Sequence, residues 1–488
     1  MAQNLTAKIL TSNEIEFLKE KIEAILSEKG VMIENHPEGL ELLKKAGAEV
    51  SGIWVKFPKS LIEESLEQVP KKFTLAAIDP KWDMVYPHPE GSFYTRTCTG
   101  GMYYLSETFE YHHITLDEVA EWTRLTDVME HVDFWSLPST KPVGFPAETI
   151  DIHTFDTVLR NTTKHGWLQP YELKNIKYLI EQAIVAAGGK EQLRKRPIVS
   201  FISCSAPPLT FKPMDVEVIL QSALYGIPLQ PCSLPTAGAN APITPQGIVL
   251  LSCAEVLAQV IMAQIFAPGT ACVATPLLFE MDMKTTNAGQ SAMSTTMGRM
   301  AAMQLFEEGY GIPAHTYGTG TDSLVVDAQA GIEASSLAHM VALSGASILG
   351  GAGQIETAKT INPQQLIIDN DIFGMVKQDR KSVVKQLKAG FEVNEETTAF
   401  NEIMALTGRE SFIDTDHTFK HFRDGYRPKT FTHDSKTSWV AKGSKDIVAR
   451  TTELYYKIKE DYVPVTLPED VLKEMDDILK RADQELGN

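Results

Sequence analysis

The sequence predicts an α/β protein: a TIM (β/α)8 barrel with an N-terminal α+β cap and a helical C-terminal extension. Three observations predict it. From about residue 131, short apolar runs alternate with longer helical patterns. Gly or Pro punctuates most joints, as in Gly226-Ile227-Pro228 and Pro268-Gly269. A chain of 488 residues, 43% hydrophobic, can bury a core of that size. Strand–helix alternation at this spacing implies parallel strands joined by right-handed crossovers. A doubly wound open sheet is the alternative, but no G-x-G-x-x-G opens a helix after an early strand.

The cap is expected over residues 1–130. Thr11–Lys29 reads as a helix with Thr11 and Glu14 at capping-box spacing, and Ser60 and Glu63 repeat that spacing before a shorter helix closed by Pro70. Lys72–Pro87 and Ser92–Leu105 alternate as strands do. Thr115–His131 is a third helix, capped by Thr115 with Glu118 at the box position. The barrel is expected over residues 131–440. Its strand candidates are Val132–Leu137, His165–Gln169, Ile198–Ser203, Leu229–Leu234, Ala271–Thr275, Ile312–Thr316 and Ala346–Leu349. An eighth is sought at Ser411–Asp414. Residues 441–488 form the extension, a charged helical pattern broken by Pro464 and Pro468.

The formal charge of −18 argues against nucleic acid and anionic membranes as partners. The five cysteines are scattered and odd in number, which suits free thiols in a reducing cytoplasm. The N-terminus lacks the pattern of a signal peptide. Gly247–Phe266 is apolar but carries Glu255, Gln259 and Gln264, so it reads as a buried helix rather than a membrane span. Large acidic barrels commonly self-associate, and a homo-oligomer is expected.

In a TIM barrel the chemistry sits at the C-terminal strand ends. Tyr310–Glu333 holds the most suggestive joint: His315 and Tyr317 close a short strand, Gly318 and Gly320 make a turn, and Thr321-Asp322-Ser323 leads into a helix. Aromatic residues recur at such positions: Phe134, Trp167, Phe279 and Tyr317, with Tyr94 and Tyr103 in the cap. A cavity lined by rings suits a quaternary ammonium, because ring faces attract cations by ~0.5–2 kcal/mol each. Strand alternation turns some rings outward, where they are only core. Arg96, Arg299, His315 and the backbone N–H groups of Gly318–Gly320 are candidate donors to a carboxylate. No residue is assigned as catalytic. Glu255 is expected to be structural, and Asp369 and Asp371 to lie on a helix surface.

No metal site is expected. There is no H-E-x-x-H, and His417 and His421 share a spacing but lack a third ligand. Asp151-Ile152-His153 has the start of the D-x-H-x-x-G motif that supplies a cobalt ligand in cobalamin-binding domains. Asp156 stands where that motif needs glycine.

Several stretches resemble the trimethylamine methyltransferase family. They are Leu116–Phe134, Gly238–Thr270, Tyr310–Glu333, the Gly345–Gly353 turn, Asn362–Met375 and His417–Pro428. The resemblance implies a TIM barrel that moves a methyl group from an amine to the cobalt of a separate small corrinoid protein. Cobalamin is then carried by that partner and not held tightly by this chain. Archaeal members acting on trimethylamine carry a pyrrolysine; this chain has ordinary residues throughout. It therefore resembles the members that use quaternary amines, with glycine betaine favoured over carnitine, γ-butyrobetaine and proline betaine. A quaternary nitrogen leaves as a neutral amine without a general acid, so the protein's task is positioning and desolvation. Two other readings stand beside it: a non-catalytic quaternary-amine binding protein on the same barrel, and a different TIM-barrel chemistry.

Overall fold

The computed structural model describes residues 7–139, 141–377, 393–408, 411–423, 426–465 and 467–487. At its centre lies a closed TIM barrel of eight parallel strands. In chain order these are β1 (Tyr94–Thr97), β2 (Phe134–Ser136), β3 (His165–Leu168), β4 (Val199–Cys204), β5 (Leu229–Ser233), β6 (Thr275–Pro276), β7 (His315–Tyr317) and β8 (Ile348–Ala352). Each strand pairs with the next, and β8 returns to β1 with Ile348 opposite Tyr94. The β6–β7 seam is the shortest. There Ala274 N–H donates to the Pro313 carbonyl and His315 N–H to the Ala274 carbonyl, both at 2.8 Å.

One principal helix follows each strand: α1 (Leu116–Val128), α2 (Ile150–Leu159), α3 (Ile176–Ala186), α4 (Pro213–Tyr225), α5 (Pro245–Phe266), α6 (Met293–Gln304), α7 (Ala328–Leu343) and α8 (Pro363–Lys377). The capping boxes at Thr11/Glu14 and Thr115/Glu118 form. The one expected at Ser60 does not: that helix starts at Lys59 with Pro58 at its N-cap.

The eighth strand requires a correction. Ser411–Asp414 is a turn ahead of a short helix, and Ile413 there is 81% exposed. The missing strand is the first one, Tyr94–Thr97, which comes from the stretch expected to be cap. It is short, and Thr95-Arg96-Thr97 is polar, yet all four residues are buried. The strand itself is expected within Ser92–Leu105, but a polar stretch whose inward side chain is an arginine does not look like one of the apolar barrel strands.

The N-terminal segment forms a small sheet in which Val31–Ile33 pairs with Trp54–Lys56 and with Thr210–Phe211 from the loop after β4. Its helices Ser12–Ala24, Pro37–Lys45 and Lys59–Gln68 pack on α5. With the barrel on one side and this layer on the other, α5 is buried along most of its length. At the C-terminal end of the chain, Ile447–Asp461 packs on α8 and α1, and Glu469–Leu486 on α3 and α2.

Two small sheets rise from the C-terminal ends of the barrel strands. One joins Tyr103–Leu105 and Tyr111–His113 to Gln354–Ile355 and Thr360–Ile361; the other joins Thr236–Ala237, Phe279–Met281 and Ala288–Gly289. They wall the mouth of the barrel.

Candidate active site

The barrel interior is built in layers of four side chains from alternate strands. Arg96 lies in register with Phe134, and Phe134 with His165. Moving two residues forward, for the stagger of an eight-strand barrel, reaches Trp167. The same step leads from Trp167 to Gln230 on β5, to His315 on β7, and back to Arg96. One layer is therefore Arg96, Trp167, Gln230 and His315. The next, from the even strands, is Ser136, Ile202, Thr275 and Gly350. Three of these four are small, so the barrel empties above the Arg96 layer. A cavity of about 400 Å³ opens there, bounded by Arg96, Gln169, Gln230, Phe279, Tyr317 and Lys359 among others.

Arg96 is 1% exposed. Its Nε donates to His315 Nε2 at 3.0 Å, and Nη1 donates to the Thr97 carbonyl and Thr99 Oγ1, both at 2.7 Å. The guanidinium also lies 5.0 Å from the Trp167 ring centroid and 5.7 Å from that of Tyr317. Gly350 makes room for this arrangement, since a Cβ there would meet His315 Nε2 at 2.4 Å and Arg96 Nε at 2.8 Å. No carboxylate among the described residues forms an ion pair with Arg96, and none lines the cavity. Burial accordingly lowers the Arg96 pKa, and Tyr317, Cys98 and Cys232 only partly oppose this. His315 is held well below its ordinary value, by burial first and by Arg96 second. It is therefore a neutral ring whose Nε2 accepts. The Tyr317 phenol is pushed up to about 12 by burial.

The ring residues divide into two groups. Trp167 and His315 meet edge to face at 4.9 Å, Phe134 packs under Trp167 at 4.8 Å, and Phe279 meets Tyr317 at 6.3 Å. Of these, Phe279 and Tyr317 reach the cavity wall. Tyr94 opens β1 at the opposite end of the barrel, and its hydroxyl bonds Val85 N and O. Tyr103 stacks on Tyr111 at 4.7 Å in the covering sheet. Arg299 holds the Gln290 and Leu278 carbonyls at 2.7 and 2.6 Å; it fixes the loop that carries Phe279 and does not line the cavity.

The glycine turn after β7 also has a structural job. Gly318 N–H donates to the Gly350 carbonyl at 2.7 Å, and a Cβ at Gly320 would meet Gln290 Oε1 at 2.5 Å. The following Thr321-Asp322-Ser323 clamps the loop after β8. Glu356 N–H donates to Ser323 O, Thr357 N–H to Thr321 O, and Thr357 Oγ1 to Asp322 at 2.8 Å. That clamp holds Glu356, Thr357 and Ala358 in the left-handed region, at φ 52°, 54° and 69°. Thr357, Ala358 and Lys359 are thereby brought to the cavity.

Other polar groups find structural partners. Glu255 accepts from Ser205, Ser233 and Leu209 N–H. His153 pairs with Asp483 of the C-terminal helix at 2.9 Å. Asp369 and Asp371, expected on a surface, are buried. Asp369 accepts from Gly353 N–H and Gln365, and Asp371 from Tyr426 and Thr430. Among the described residues, no group of three or more His, Cys, Asp or Glu is placed to hold a metal. A second cleft of about 440 Å³, between α3, α4 and Leu486, lies on the outer helices away from the strand ends.

Gln169, Gln230, Cys204, Cys232 and Lys359 line the cavity without having been singled out in the sequence. One signal was available for Gln230: a lone amide in the apolar strand Leu229–Ser233.

A closed parallel barrel with a walled cavity at its C-terminal mouth places the protein among the TIM-barrel proteins that handle small molecules there. Comparison with known proteins narrows this. The model of the trimethylamine methyltransferase (MTTB) family matches residues 2–487, and the chain belongs to that family. It is 30% identical over 465 residues to a trimethylamine methyltransferase of Desulfitobacterium hafniense, covering 95% of this chain and 91% of that one. It is 28% identical to a trimethylamine methyltransferase of Methanosarcina barkeri over 98% of this chain and 95% of that one. A glycine betaine methyltransferase of Desulfitobacterium hafniense is 24% identical, with 98% of both chains covered. Among solved structures, the Methanosarcina barkeri monomethylamine methyltransferase is similar at 13% identity and a TM-score of 0.48, covering 99% of this chain and 93% of that one.

Proposed function

We propose that this methyltransferase takes its methyl group from a quaternary amine that carries a carboxylate, a betaine, and passes it to Co(I) of a separate corrinoid protein in the cytoplasm. Arg96 is the observation that carries the reading: a buried cation at the cavity floor with no acid beside it. A protonated trimethylamine about 6 Å from that guanidinium would be repelled by about 3 kcal/mol at an effective dielectric constant near 20. A betaine places its carboxylate between the two positive charges and turns repulsion into attraction. The carboxylate goes down to Arg96, and the ammonium lies toward the mouth beside Phe279 and Tyr317.

The corrinoid supplies a nucleophile that accepts the methyl as its C–N bond breaks, and the amine departs neutral with that electron pair. The chain's own residues do the rest. Arg96 fixes the substrate axis, the barrel wall strips water from the ammonium, and the rings steady a charge that fades during transfer. Too close a cage would favour substrate over transition state, so the three rings that border the cavity, Tyr171, Phe279 and Tyr317, fit better than a full box. The rim suits a protein partner. Met102, Phe109, Leu234, Ile243, Met283 and Leu324 are 39–68% exposed on loops at the barrel mouth, an apolar surface of the kind that marks docking sites. Glycine betaine leads as substrate because a relative of this length uses that name. The test mixes the protein with reduced corrinoid protein and a panel of betaines, choline and trimethylamine, and follows cobalt methylation by absorbance. Methylation with trimethylamine but with no betaine would sink the reading.

A further inference from the structure

The floor layer holds a second group without a partner. Gln230 is 1% exposed and borders the cavity, yet neither Oε1 nor Nε2 has a hydrogen-bond partner. A buried amide is rarely left idle, because its lost hydration is not repaid. Two more unused groups share its layer. Trp167 Nε1–H has no partner, and neither has His315 Nδ1. Since His315 Nε2 accepts from Arg96, the proton of the neutral ring sits on Nδ1 and is a donor. Arg96 and Gln230 border the cavity, while the Trp167 and His315 ring N–H groups share their layer without reaching its wall. All can donate, and no carboxylate lines the cavity above them. Strand β5 stands four strands from β1 in either direction around the barrel, so Gln230 approaches from the side opposite Arg96.

We propose that Gln230 is a specificity-determining residue: its amide N–H holds one oxygen of the substrate carboxylate while Arg96 holds the other. This rests on the betaine reading above and adds to it. Arg96 alone would attract any anion. A donor on the opposite side requires two oxygens on one planar group, with the ammonium projecting upward. It also explains why the position is an amide. An acid there would neutralise Arg96 and admit bare cations, while an apolar residue would leave one carboxylate oxygen buried without a donor.

Calorimetric binding to the full-length chain tests it, with glycine betaine and γ-butyrobetaine as carboxylate ligands and choline as a ligand without one. Gln230→Met should weaken betaine binding by about tenfold to a hundredfold, the loss of one hydrogen bond to a charged group, and should leave choline within about threefold. Gln230→Glu should abolish betaine binding and strengthen choline binding. Thermal melts of both variants report whether the fold is kept. A structural role for Gln230 would weaken both ligand classes together in Gln230→Met, and that outcome overturns the proposal. So does wild-type betaine affinity in a folded Gln230→Glu protein. The underlying reading fails separately: a wild-type protein that binds choline or trimethylamine but no betaine removes the carboxylate site altogether, and the role of Gln230 with it.

Discussion

Replacing Arg96 with methionine separates binding from folding more sharply than any other change. Three of the guanidinium's hydrogen bonds are internal, to His315, Thr97 and Thr99. The face left over is what a carboxylate would meet. A hydrogen bond to a charged group contributes about 1.5–3 kcal/mol. Attraction between the charges at about 4 Å adds up to about 4 kcal/mol at an effective dielectric constant near 20, much of it offset by desolvation. A net loss of about 2–4 kcal/mol follows, or about 30-fold to 1,000-fold weaker betaine binding. Stability should respond differently. Arg96 is a buried cation without a counter-charge, so an apolar side chain of similar length removes a desolvation cost as well as three hydrogen bonds. The melting temperature of Arg96→Met should therefore hold or rise while betaine affinity collapses. Calorimetry with glycine betaine and choline, beside thermal melts, reads both. Equal losses for the two ligands would rule out a carboxylate contact at Arg96, as would betaine affinity within threefold of wild type.

Two further outcomes follow from the same geometry. Gly350→Ala puts a Cβ 2.4 Å from His315 Nε2 and 2.8 Å from Arg96 Nε. It should lower stability by about 1–3 kcal/mol and impair methyl transfer; unchanged kinetics would show that the Arg96–His315 pair is not needed. Asp369 is raised to about 8 by burial, against a lowering by its hydrogen bonds from Gly353 and Gln365. Between the ordinary carboxylate range and about pH 8 the folded chain keeps a proton that the unfolded chain has released, so stability falls as pH rises through that window. Asp369→Asn should flatten the slope in melts from pH 5 to 8, and parallel slopes for the two proteins would contradict it.

The barrel was legible because seven of its strands carry apolar runs between helices of ordinary length. β1 falls inside Ser92–Leu105, which reads as a strand, but its place in the barrel was not legible, for a reason tied to the site. Its inward residue is Arg96, its neighbours are threonines, and an inserted covering sheet separates it from α1. The residue that best explains the cavity therefore sat in a strand that reads as part of the cap and not of the barrel. Ser411–Asp414 was attractive only for Phe412-Ile413, which the structure exposes. Trp167, His315 and Tyr317 could be picked from strand ends, and the barrel brings them to Arg96. Tyr94 and Tyr103 share their chemistry but not their level: one lies at the far end of the barrel, the other in the covering sheet. Gln230 went unremarked because strand periodicity gives two faces without saying which points inward. The register supplies that, and register is a property of pairs of strands that a single segment does not show.

The measurement that bears most directly on the carboxylate floor is a crystal structure with glycine betaine bound. A carboxylate oxygen should lie about 2.7–2.9 Å from an Arg96 nitrogen, with the other oxygen facing Gln230 and the N-methyl groups directed to the mouth of the barrel. A betaine bound in the opposite sense, with its ammonium against Arg96 and its carboxylate at Lys359, would contradict it.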